Sequence, residues 1–163
     1  MKPDPQLNRI APDEMPDDMA SAWRHSVDLR GDATFFEVFA NHPDLYRWYV
    51  NQFYGHVFRG GKVAQRYKEL LRLRLSTLHG CRFCNQGNRL DAIEAGLTEA
   101  QIAAFESPES GTFTPAELAV LALGAELALT NSTGVLSEAL HGQLAAYFDD
   151  AQILELGLVG GIL

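Results

Sequence analysis

The sequence predicts an all-α protein, and three observations carry that prediction. Apolar residues recur at helical spacing along most of the chain, as in Tyr46, Val50, Phe53 and Val57, which are four, three and four apart. Thr98 with Gln101, and Thr114-Pro115-Ala116-Glu117, have the pattern of N-terminal capping boxes, the second reinforced by proline at the first helical position. No Asn-Gly or Asp-Gly pair divides two alternating apolar runs, so no tight hairpin is signalled.

The elements follow in order. Residues 1–15, rich in proline, read as a loose N-terminal arm, and 16–163 as one domain. A first helix is expected from Asp17 to Leu29, stopped at Gly31. A short one from Ala33 to Ala40 ends at Asn41-His42-Pro43, because proline disfavours helical geometry in the residue before it. Pro43 opens the next, closed by Gly60-Gly61. Lys62 to His79 is read as helix although Leu71-Arg72-Leu73-Arg74-Leu75 alternates like a strand, since the periodic stretch is too long for one strand and poor in β-branched residues. Gly80 ends it, and Cys81 starts a helix that runs to Gly96. Helices from about Pro115 to Leu129, from Ser137 to Phe148 and from Asp150 onward complete the bundle. Glu69-Leu70, Glu117-Leu118 and Glu155-Leu156 form a faint internal echo. Gly157, Gly160 and Gly161, poor helix formers, suggest close packing of the last helix, whose apolar pattern runs to Leu163 as if a neighbouring subunit or further residues should cover it.

Composition narrows the function. An apolar content of 47% with 21% charged residues is that of an ordinary globular chain. No apolar run is long enough to span a membrane, and no secretory h-region precedes the first helix, so a cytoplasmic setting is expected. A net charge of −8 argues against nucleic acid as partner. Charge is unevenly spread, however. Seven of the 13 Lys and Arg (Lys62, Arg66, Lys68, Arg72, Arg74, Arg82 and Arg89) fall in a stretch whose only acid is Glu69. Such a run is either a solvated helix face or a positive field that stabilises thiolate and attracts anions.

That stretch contains the only cysteines, Cys81-Arg82-Phe83-Cys84. Asn85 in place of histidine after Cys84 rules out c-type haem attachment. A structural zinc needs four ligands, and none of the five histidines stands in paired metal spacing, so no metal or other cofactor is expected. A redox dithiol fits better: at a helix start, positions three apart bring the Cα atoms to about 5–6 Å, within disulfide range, and the helix N-terminus favours thiolate. If the helices on either side of Gly80 fold back on one another, Glu69 lies near positions of about 88 to 91. Asn88, one turn after Cys84, then completes a polar line with Glu69, supplying the partner a buried glutamate needs; Glu69 is otherwise only a buried ion-pair partner to Arg66 or Arg72. His79 is a candidate base, or simply a cation at a helix C-terminus.

Glu69, twelve residues before Cys81, then Cys81-x-x-Cys84 and Gly96-Leu97-Thr98, resembles the carboxymuconolactone decarboxylase and alkylhydroperoxidase D-like family. Asn41-His42-Pro43-Asp44-Leu45 and Thr114-Pro115-Ala116-Glu117 extend the likeness over about residues 33–160. The resemblance implies an all-helical homo-oligomer, commonly a trimer or hexamer, that reduces hydroperoxides and is recycled by a dithiol electron donor. It implies Cys84 as the attacking thiol, Cys81 as the resolving thiol and Glu69 as the relay acid. The family's relay histidine is replaced by Asn88, which cannot take up a proton near neutral pH. General acid–base assistance is worth about a hundredfold or more, so the usual relay should be weakened. Two other readings remain open: an enzyme acting on a small acid or lactone without thiol redox, as the basic stretch would suit, and a non-catalytic member of the family.

Overall fold

The computed structural model describes residues 6–109, 111–130 and 136–163. Among them every regular element is helical, as the capping and periodicity require. The chain divides into two compact units, one ending at His56 and one beginning at Val57, where the sequence suggested a single domain after residue 15.

The first unit holds α1 (Asp17–Arg30), α2 (Thr34–Phe39) and α3 (Pro43–Arg47). Met15, Met19, Ala20, Ala40 and Tyr46 form its buried cluster, with Ile10, Trp23, Phe36 and Phe39 packed against it. The part of the N-terminal arm nearest α1 is therefore not loose. The Ile10 N–H donates to the Glu37 carbonyl at 3.1 Å, and Arg9 pairs with the Glu37 carboxylate, which also accepts from the Trp23 indole at 3.0 Å.

Beyond α3 the helix widens to a π-type wind over Trp48–Arg59 rather than remaining α-helical to Gly60. Its i to i+5 geometry brings Tyr49 beside Tyr54, with ring centroids 5.1 Å apart in an edge-on pair, while Tyr49 also stacks on Phe53 at 5.7 Å. These contacts join aromatics that make no single stripe at α-helical spacing.

The second unit is organised around α4 (Gln65–Leu78), which packs against α5 (Arg82–Glu94), α7 (Pro115–Ala125) and α9 (Asp150–Ile162). Neighbours on so many sides explain the strand-like alternation. Leu70, Leu71, Leu73 and Leu75 are all buried, each worth about 1.5–3 kcal/mol. Three bases of α4 each meet a carboxylate, while Arg74, half-buried, donates to the Phe105 carbonyl instead. Lys68, fully enclosed, reaches Glu155 of α9 at 3.0 Å and the Val57 carbonyl at 2.9 Å. Arg66 reaches Glu117 of α7 at 2.6 Å, and Arg72 pairs with Glu69 and with Asp91 of α5.

Lys62, Arg82 and Arg89 of the basic stretch are exposed, but its α4 part is largely internal, and there both simple expectations are corrected. A solvated face would leave these side chains in water, and an uncompensated field would leave them unpaired. The echo of three Glu-Leu pairs has the same physical content, since Glu69, Glu117 and Glu155 each place a buried carboxylate on a base of α4.

The remaining boundaries match their chemistry. Both expected capping boxes form, at Thr98 for α6 (Glu99–Ala103) and at Thr114 for α7. A third, Asp149 with Gln152, starts α9 and was missed because it begins with Asp. Ser137 caps α8 (Glu138–Ala145), its hydroxyl accepting from the Leu140 N–H. The helix expected from Lys62 begins only at Gln65, because the Lys62 and Val63 N–H groups donate to the Glu155 carboxylate at 2.6 and 3.2 Å. The helix from Pro115 is α-helical to Ala125 and continues as a π-wind over Glu126–Thr130.

Glycine sets two close approaches between helices. A Cβ on Gly124 of α7 would stand 2.9 Å from Arg74 Cγ and 3.2 Å from Leu71 Cδ1 of α4, and one on Gly160 of α9 would collide with Leu127. Gly157 and Gly161 face open space, so of the three late glycines only Gly160 serves close packing.

Candidate functional site

The cysteine pair is positioned by how α4 ends. Gly80 adopts φ +65°, the left-handed conformation that lets a helix close on itself. Its N–H donates to the Thr77 carbonyl at 3.1 Å, and the Cys81 N–H donates to the Ser76 carbonyl at 3.0 Å, the paired bonds of a Schellman closure. The residue that completes this closure is also the N-cap of α5. Cys81 is extended, and its Sγ accepts the Cys84 N–H at 3.2 Å. Termination of one helix and initiation of the next therefore meet on one cysteine.

Cys81 and Cys84 are joined as a disulfide, with Cα atoms 5.3 Å apart, inside the range the spacing predicts. Both are half-buried, as is Phe83 between them, while Arg82 projects outward. The first turn of α5 contains no acid, so no carboxylate of that turn offsets the positive helix terminus beside the sulfurs. Asn85 follows, and its Oδ1, shielded from solvent, accepts no hydrogen bond.

Glu69 sits on α4, almost fully buried. Its Oε1 accepts from Gln65 Nε2 at 2.8 Å and its Oε2 from Arg72. The same Arg72 nitrogen reaches Asp91 Oδ2 at 2.6 Å, and the guanidinium lies 4.9 Å from the Phe58 ring centroid. Burial raises the Glu69 carboxyl above the ordinary glutamate value; Arg72 and Gln65 act in the opposite sense without cancelling it, and the Asp91 charge adds to the rise.

The expected alignment of Glu69 with positions 88–91 is realised through Asp91. Asn88 is half-buried and makes no hydrogen bond to Glu69, whose partners come from its own helix, four residues before and three after. The polar line of Cys84, Asn88 and Glu69 is therefore replaced by a Gln65–Glu69–Arg72–Asp91 network. Asp91 was missed, although it lies within the aligned window and one acid there should have drawn notice. His79 is exposed at the end of α4, its backbone N–H donating to the Leu75 carbonyl at 2.9 Å.

Comparison with known proteins bears on this arrangement. The model of the carboxymuconolactone decarboxylase family matches residues 43–126, from the start of α3 through Glu126. The uncharacterized protein YdfG of Bacillus subtilis (strain 168) is 31% identical over 98 residues, 60% of this chain and 66% of that protein's length. Among solved structures, the alkylhydroperoxidase AhpD core of an uncharacterized peroxidase-related protein from Ralstonia eutropha JMP134 superposes with a TM-score of 0.69. That match covers 99% of this chain and 85% of the other at 17% identity, a likeness of fold.

Proposed function

The chain belongs to the carboxymuconolactone decarboxylase family, and from that premise we propose that it is a dithiol oxidoreductase that reduces hydroperoxides through Cys84 and Cys81. The observation that carries this reading is the half-buried Cys81–Cys84 disulfide at the acid-free N-terminus of α5.

The chemistry balances as follows. The Cys84 thiolate attacks the outer oxygen of a hydroperoxide; an S–O bond forms, the O–O bond breaks, and the alcohol leaves after taking a proton. The Cys81 thiol then attacks the Cys84 sulfenic acid, water departs and the disulfide closes. An external dithiol supplies two electrons and two protons to reopen it. The helix terminus favours thiolate in the first step. Glu69 is the relay acid of this scheme. Its raised carboxyl is closer to exchanging a proton near neutral pH than an ordinary glutamate is, but both its oxygens are already engaged and Asn88 cannot take up a proton. The expected result is a slow peroxidase. The alternative of a small carboxylate or lactone substrate leaned on the basic stretch, and the pairing of Arg66, Lys68 and Arg72 with acids engages three of its seven bases.

The reading includes assembly as a homo-oligomer, a trimer or hexamer, which the resemblance implies and which the solvent-facing Leu154 and Leu158 of α9 support at 75% and 48% exposed. The test of function is hydroperoxide consumption with dithiothreitol as reductant. Wild type should turn over, Cys84→Ser should not, and Asn88→His should be faster by about a hundredfold, the usual worth of a positioned acid–base group. Equal rates in wild type and Cys84→Ser would sink the proposal.

A further inference from the structure

Asn85 stands one residue after Cys84 and one turn after Cys81. Its backbone N–H donates to the Cys81 carbonyl at 2.9 Å, so residues 81 and 85 share a helix face. Side chains on a helix lean toward its N-terminus, which directs the Asn85 amide back toward Cys81. The amide oxygen is closed off from solvent and unpaired, a costly state for a buried acceptor. In the disulfide, the Cys81 sulfur has no proton to give and already accepts the Cys84 N–H. Reduction changes that, because a Cys81 thiol carries a donor.

We propose that Asn85 is a positioning residue for the dithiol, its buried Oδ1 accepting the S–H that Cys81 acquires on reduction. The inference rests on the reading that the pair cycles between disulfide and dithiol. When an external dithiol opens the S–S bond, two electrons and two protons enter the pair and the reductant leaves as its own disulfide. One proton stays on Cys81, between the Cys84 N–H and Asn85 Oδ1. The other is on Cys84, which is free to lose it to solvent and become the thiolate. Asn85 thus has two effects. It satisfies in the dithiol an acceptor left orphaned in the disulfide, which makes the couple more oxidising. It also keeps Cys81 neutral, leaving the negative charge to Cys84.

The test is the redox equilibrium of the full chain in glutathione buffers, read as the ratio of dithiol to disulfide protein. Asn85→Leu removes the acceptor at similar size, and its dithiol-to-disulfide ratio should fall about fivefold relative to wild type. That is about 20 mV toward more reducing, at ~30 mV per tenfold for a two-electron couple. Asn85→Asp retains an acceptor and should stay at least as reduced as wild type. Equal potentials for wild type and Asn85→Leu, or shifts of both variants to the reducing side, would overturn the assignment. Should the leucine variant fail to fold by circular dichroism, an Asn85→Asp protein less reduced than wild type overturns it alone. A wild-type disulfide that does not exchange with glutathione at all overturns the dithiol reading and this inference together, whereas equal potentials overturn only the inference.

Discussion

The interior of α4 and the start of α5 handle charge in opposite ways. On α4, Arg66, Lys68 and Arg72 are each paired with a carboxylate, and the Glu155 carboxylate also takes two backbone N–H groups. At the start of α5 the sulfurs are half-buried, the first turn has no acid, and Asn85 keeps an unpaired oxygen. Paired charges tie α4 to the helices around it, whereas the start of α5 offers no carboxylate and leaves the sulfurs as its reactive groups. The difference teaches that the charge-rich helix is the framework and the charge-poor turn is where chemistry is to be sought.

The sharpest way to break this comparison is to unpair the framework. Lys68→Met leaves Glu155 buried without its cation, and the expected loss is about 3–5 kcal/mol in urea unfolding. Adding Glu155→Leu should recover most of that, since replacing both partners of a buried pair is often nearly neutral, although the Lys62 and Val63 N–H groups then lose an acceptor. If Lys68→Met were harmless, α4 would not be the ionic framework described. Leu71→Ala in the same helix should cost about 2–5 kcal/mol through the cavity it leaves.

A smaller effect is expected at the junction itself. Gly80→Ala places a side chain at φ +65°, where about 1 kcal/mol is lost, and it loosens the closure that sets Cys81 as N-cap. The measured dithiol–disulfide potential should move in Gly80→Ala but stay put in the Lys68 and Glu155 double variant.

The smallest effect is a pH dependence whose sign differs between carboxylates. Burial pushes Glu117 and Glu155 up, but hydrogen bonds outweigh it: from the Thr114 N–H and Arg66 for Glu117, and from Lys68 and two backbone N–H groups for Glu155. Both are held below the ordinary glutamate value. Their contribution is complete above that value and lost as pH falls through their lowered folded values. Glu69, raised by burial, behaves oppositely. Its contribution is present below the ordinary glutamate value and disappears as pH rises through its folded value. In urea midpoints taken from pH 3 to 8, Glu155→Gln should lose least at the acid end. Glu69→Gln should gain on wild type as pH rises. A Glu69→Gln difference that is flat with pH would remove the carboxyl from any proton-handling role.

Much of the framework could be read from the chain because it rests on local rules. Thr98 and Thr114 form caps with residues three positions on, Gly80 and Gly31 stop helices, and the apolar period marks the core. The charge pairing of α4 was hidden because its partners, Glu117 and Glu155, lie 51 and 87 residues from their bases. No sequence period connects them, so a run of bases beside one acid read as either a solvated face or a free positive field. The π-wind of Trp48–Arg59 was hidden for a similar reason, since ring packing rather than α-helical propensity sets its width. At the site, the pairing of Cys81 with Cys84 was legible from spacing. The Arg72 partner of Glu69 was legible as one alternative, but Gln65 was not, and together, from the same helix as Glu69, they displace Asn88.

The central claim is that Cys81 and Cys84 act as one two-electron couple, and a thiol count tests it most directly. The full chain is reduced with dithiothreitol, freed of reductant, and treated with one equivalent of an organic hydroperoxide. The account predicts two thiols lost per chain and one alcohol formed, with no thiol lost beyond one in Cys81→Ser. Two thiols still free in the wild type while the hydroperoxide persists would contradict it.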